Sequence, residues 1–128
     1  MLDASAKSMS ATHDERFPKS ARLVKQKDFD RVFKIGAVAS DSMLVVHACR
    51  SELDWTRLGL SVSKKVGNSP IRNHWKRLIR EAFRKQKHEL PQKLDLVVRP
   101  KRGAIADYHR ITKSLAQLCK QLDNRLNA

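Results

Sequence analysis

From Pro70 to Glu89 the apolar and polar positions follow a helical period. At 100° per residue Ile71, Trp75, Leu78, Ile79 and Ala82 share one arc, with Phe83 at its edge, and Arg72, Asn73, Lys76, Arg77, Arg80, Arg84 and Lys87 share the facing arc. Ser69 is an N-cap candidate and Pro70 suits the first helical position, where a missing N–H costs nothing. The helix is thus expected to begin after Gly67-Asn68 and to stop at Leu90-Pro91.

Around this helix the pattern predicts the other elements. Lys27-Asp28-Phe29 opens a short amphipathic helix that Gly36 can end, with Phe29, Val32 and Phe33 as its apolar members. Ser42 to Arg50 and Arg57 to Ser63 read as strands, and the polar turn around Ser51 to Asp54 makes them candidates for an antiparallel hairpin. In the second strand Gly59, Ser61 and Ser63 form a small, polar face with room for a ligand or a helix. Leu94 to Arg99 is short and almost continuously apolar, as a strand covered on both faces should be. Asp107 then caps a last helix whose stripe of Tyr108, Ile111, Leu115, Leu118 and Leu122 reads as core. The expected fold is α+β: a single small domain with one mostly antiparallel sheet of about four strands and three helices. Residues 21–124 form that domain, 1–20 a disordered polar tail and 125–128 a short C-terminal tail.

Charge changes the reading of the basic helix. The 128 residues carry 27 Lys and Arg against 13 Asp and Glu, a net charge of +14, which points to a polyanionic partner such as nucleic acid. Between Lys64 and Arg102 there are thirteen Lys and Arg but three acids, Glu81, Glu89 and Asp95. An excess so localised favours a binding face over a uniformly solvated surface. Cys49 and Cys119 lack the spacing of a disulfide scaffold or a zinc site and read as buried thiols in a reducing cytoplasm. The run Met43 to Cys49 is too short for a membrane span, and residues 1–16 lack the apolar segment of a signal peptide.

The candidate chemistry is binding. An independent nuclease would need clustered carboxylates for metal ions or a histidine pair for acid–base work. Glu81 sits among arginines as a salt-bridge partner, and His13, His47, His74, His88 and His109 show no pairing. Arginine forks, lysine point charges and the free N–H groups at the helix start all suit phosphates. Helical spacing alone makes Phe29 and Phe33 core residues, whereas their place beside positive charge also suits stacking on single-stranded bases. His47, the lone histidine on the strand face of Met43, Val45 and Cys49, reads as a structural residue. Two classes of function suit these residues: a stand-alone RNA- or DNA-binding module, such as a ribosomal-type protein or regulator, and, more weakly, an independent nuclease.

The motifs SVSKKVGN at Ser61–Asn68, RNHWKR at Arg72–Arg77 and LIREAFR at Leu78–Arg84 resemble the signature of the bacterial ribonuclease P protein subunit. RLVKQKDFDRVFKIG at Arg22–Gly36 and LDLVVRPK at Leu94–Lys101 extend the resemblance over about four fifths of the chain. It implies a partner of a catalytic RNA that removes the 5′ leader from precursor tRNA, with Mg²⁺ used through the RNA and no cofactor bound by the protein alone. It also implies a cytoplasmic protein, monomeric in a one-to-one RNA complex, with a left-handed crossover around the basic helix where the default is right-handed. By that resemblance Lys64, Lys65, Asn68, Arg72, Asn73, His74, Lys76, Arg77, Arg80 and Arg84 meet the catalytic RNA. Phe29, Phe33, His47, Ser61 and Ser63 meet the leader, which favours stacking over the core reading of the two phenylalanines. His74 replaces the second arginine of the family's Arg-Asn-Arg core, and His47 stands where some members carry a third aromatic residue.

Overall fold

A computed structural model describes residues 17–127. Helix α1 (Gln26–Ile35) is followed by β1 (Ala37–Ser40), β2 (Leu44–Arg50) and β3 (Arg57–Leu60). The basic helix α2 (Ser69–Gln86), strand β4 (Leu94–Pro100) and helix α3 (Tyr108–Leu126) complete the chain. Of the expected 1–20 tail, residues 1–16 lie outside the described residues. Phe17 packs edge-on against Phe83 with ring centroids 5.5 Å apart, and Lys19–Ala21 forms a 3₁₀ turn that buries Ala21.

The sheet runs β1-β2-β4-β3, antiparallel except for the β3–β4 pair, so it is mostly antiparallel as expected. The hairpin expected between Ser42–Arg50 and Arg57–Ser63 does not form. β4, apolar on nearly every position, takes the central place and separates those strands, because it alone can be buried on both faces. The hairpin that does form joins β1 to β2 through Asp41, whose Oδ1 accepts from the Met43 and Leu44 N–H groups at 2.8 and 2.9 Å. β1 is the strand the sequence pattern did not mark. Parallel β3 and β4 require a crossover, and α2 supplies it.

The inner face of the sheet carries Leu44, Val46, Ala48, Leu58, Leu94, Leu96 and Val98. They pack on Trp75, Ile79, Ala82 and Phe83 of α2 and on Ile111, Leu115, Leu118, Cys119 and Leu122 of α3. The predicted stripe of α3 is therefore core, with Tyr108 at its half-buried margin. The α2 arc is also core, with Leu78 half-buried at its margin, except at Ile71, which is 45% exposed. Asn68, not Ser69, caps α2: its Oδ1 accepts from the Ile71 N–H at 3.1 Å, leaving Ser69 and Pro70 inside the first turn. Burial pushes the Cys119 thiol up to about 12, which makes it an inert core residue.

Candidate nucleic-acid interface

The outer face is built differently, row by row. Cys49, Asp95 and Arg57 stand in register across three strands, then Val97 with His47 and Gly59, and then Val45 with Arg99. α1 lies over the first two rows. Val32 is fully buried with Leu23, Cys49 and Val97, and Phe29 is half-buried at their margin. A Cβ on Gly59 would come within 2.7 Å of the Phe29 ring, so only a glycine lets that ring approach the strand.

A buried ion cluster fixes one end of α1. Asp95 has no exposed surface and takes a forked pair from Arg57, Nε to Oδ1 and Nη2 to Oδ2, both at 2.8 Å. Arg31 of α1 bonds the same carboxylate, and Asp28 of α1 lies 3.6 Å from Arg31 and 3.8 Å from Arg57. Burial opposes ionisation of Asp95, but the hydrogen bonds from Arg57 and Arg31 outweigh it and hold the carboxyl below its ordinary range. The cluster thus binds α1 to β3 and β4 through a charge that cannot be left unpaired.

At the other end α1 leaves the sheet open. Phe33 is 42% exposed and meets His47 edge to face, with ring centroids 4.8 Å apart and planes at 76°. Burial, with Arg99 adding to it, holds the His47 imidazole below its ordinary range, so the ring is neutral at pH 7. His47 Nε2 has no hydrogen-bond partner among the described residues. Beyond this pair lie half-buried Val45 and exposed Arg99, and Ser63 and Lys65 border the same hollow. Ser61, half-buried at the end of β3, donates its N–H to the Val98 carbonyl at 3.1 Å.

A second surface lies on α2. Asn73, Lys76, Arg77, Arg80 and Arg84 line one hollow together with Phe17. Glu81 is on the same surface and pairs with Arg84 at 2.6 Å, so the charge of Arg84 is largely offset within the helix. Arg72 turns back, donating Nε to the Gly67 carbonyl at 3.2 Å and Nη2 to Ser69 Oγ at 3.0 Å. Lys64 and Lys65 are exposed in the 3₁₀ turn Lys64–Val66, and Asn68 spends its carbonyl oxygen on the helix cap. His74 faces away from the cationic hollow, towards Val66, Pro70 and Trp75.

These two surfaces occur on a chain whose relatives are known by name. The sequence model of the family described as Ribonuclease P matches residues 17–123. The chain belongs to the ribonuclease P protein family. The ribonuclease P protein component of Chlamydia caviae is 36% identical over 106 residues, which is 82% of this chain and 76% of that one. Its counterpart from Lachnoclostridium phytofermentans is 38% identical over 102 residues, covering 79% and 88%. The solved Staphylococcus aureus ribonuclease P protein superposes with a TM-score of 0.72 at 37% identity, covering 80% of this chain and 95% of that one. The Thermotoga maritima ribonuclease P protein gives 0.73 at 32% identity, covering 78% and 96%.

As a ribonuclease P protein, the chain is the protein component of a ribonucleoprotein endoribonuclease and works with ribonuclease P RNA. The stand-alone binding module is not favoured. Among the described residues no helix is long and apolar enough to cross a membrane. The residues matched to the leader divide between two settings: Phe33, His47 and Ser63 border the open part of the outer face, while Phe29 is half core. Of those matched to the catalytic RNA, Asn73, Lys76, Arg77, Arg80 and Arg84 are brought together, whereas His74 and Arg72 are turned elsewhere. Sequence reasoning missed Arg99 and the basic turn Lys101-Arg102 as part of the groove, and Arg31, Arg57 and Asp95 as the device that positions α1. For Asp95 and Arg99 the signal was present: a lone acid and a lone arginine share one face of an otherwise apolar strand, on either side of Val97.

Proposed function

We propose that this protein holds the single-stranded 5′ leader of precursor tRNA across the open part of the outer sheet face while α2 docks on ribonuclease P RNA. The observation that carries the reading is the Phe33–His47 pair, an exposed aromatic edge beside a cationic groove on a sheet face that α1 covers only in part. Phe33 and His47 stack on leader bases, half-buried Phe29 offers the leader only its open edge, and Ser61, Ser63 and Arg99 hold sugar and phosphate groups. Asn73, Lys76, Arg77 and Arg80 contact phosphates of the catalytic RNA. Lys64, Asn68, Arg72 and Arg84 are assigned to the rim of that contact, while Lys65 and His74 line hollows on the other side of α2. Hydrolysis of the phosphodiester bond, with its Mg²⁺, belongs to the RNA, and the complex is a one-to-one assembly in the cytoplasm.

The test is reconstitution. Mixed with the catalytic RNA and a precursor tRNA at low magnesium, the protein stimulates cleavage at the mature 5′ end, and protein without RNA does not cut. Absence of stimulation would remove the reading; cleavage by the protein alone would replace it with a nuclease of its own.

A further inference from the structure

Two hollows beside the first turns of α2 share the lining residues Val66 and Ala104. The first leaves the outer sheet face at Val45 and Arg99 and passes Lys65, Lys101 and Arg102, and among the described residues no acid lines it. The second is bounded by Ile71, His74 and Trp75 of α2 and by Ile105, and among the described residues no Lys, Arg, Asp or Glu lines it. One track therefore runs from the open end of the sheet across a group of cations to an apolar end.

That end is made of large side chains left in solvent. Ile105 is 84% exposed and Ile71 is 45% exposed, while Trp75, at 2%, forms the floor. Gly67, at φ +155°, keeps the turn bare beneath Ile71: a Cβ there would meet the isoleucine side chain within 2.9 Å. Phosphates suit the cationic stretch, and a flat nucleobase suits the apolar end, where its removal from water is favourable and its edge can reach His74. The hollow with Asn73, Lys76, Arg77 and Arg80 shares no lining residue with this track. Continuity with the outer face thus favours the leader over the catalytic RNA as the occupant.

We propose that the hollow between Ile71 and Ile105 holds a base of the precursor leader distal to the cleavage site, with the connecting phosphates crossing Lys65, Lys101 and Arg102. The inference rests on the leader lying across the outer face. It makes Ile105 a residue through which the holoenzyme distinguishes long leaders from short ones.

The experiment measures holoenzyme affinity for precursors whose leaders are lengthened one nucleotide at a time. Affinity rises first as the leader crosses Phe33 and rises again when it reaches the hollow. Ile105→Ser, at an exposed position that does not support the core, removes the second rise, a loss of roughly fivefold or more. Arg102→Ala reduces the same rise and its salt dependence. An Ile105→Ser effect equal at every leader length and on catalytic RNA binding would give the hollow to the catalytic RNA, and no effect at any length would make it plain surface; either overturns the subsite. A first rise indifferent to Phe33→Ala would instead overturn the reading on which the subsite rests.

Discussion

On the inner face of the sheet, Leu44, Val46, Leu58, Leu94, Leu96 and Val98 meet two helices and are sealed from water or nearly so. The outer face of the same strands carries Arg57 and Asp95 at one end, Val97 and Gly59 in the middle and Arg99 at the other. Among the described residues a single helix covers it, fastened at one end by ions and at its middle by Val32. Apolar burial is non-directional and seals whatever it touches, so it builds the closed face. Ion pairs and a glycine contact act at points, so they can hold a helix over part of a face and leave the rest open. The first arrangement makes the fold, and the second leaves open the surface on which the proposed leader site lies.

The comparison predicts a graded set of effects. Phe83→Ala, in the sealed face, should cost about 3–5 kcal/mol of stability by denaturant unfolding, because the cavity lies where α2, the sheet and Phe17 meet. Asp95→Asn should cost about 3 kcal/mol, since two arginines are deprived of their shared carboxylate. A cost below about 1 kcal/mol would mean that Val32 and Leu23 alone hold α1. The same variant sharpens the comparison through pH. The Asp95 carboxyl is held below its unfolded value, so its contribution is complete above the unfolded pKa of about 4 and disappears as pH falls through the folded value. Asp95→Asn should therefore flatten the acid side of the stability profile, whereas Phe83→Ala should lower it evenly.

Smaller effects separate binding from folding. Replacing Lys76, Arg77 and Arg80 together should lower the salt slope of RNA affinity by roughly one unit for each phosphate no longer neutralised, with stability nearly unchanged. An unchanged slope, measured by titration at several salt concentrations, would leave this surface merely solvated. Asn68→Ala should cost about 1 kcal/mol by removing the α2 cap, while Ser69→Ala should cost less, which checks the corrected cap position.

Much of this was legible in the residues. The α2 and α3 faces followed from a 3.6-residue period, and the motifs from Ser61 to Arg84 marked the family. The pairing of the strands was not, because a turn around Ser51–Asp54 suits a hairpin as well as it suits a strand that leaves to make room for β4. β1 was hidden by its length, four small or exposed residues at the sheet edge with one buried side chain, Ala39. Phe29 and Phe33 share a helix and a residue type, and periodicity assigns both to one stripe. Only the third dimension separates them: Gly59 admits the first to the sheet, and His47 holds the second at the rim.

The central claim is that the open part of the outer face receives the leader. Its most direct measurement is the affinity of the reconstituted holoenzyme, wild type and Phe33→Ala, for a leader-bearing precursor and for the mature tRNA. Stacking on Phe33 predicts a loss of about 1–3 kcal/mol for the precursor and none for the mature tRNA. Equal losses for both RNAs, or none for either, would contradict it.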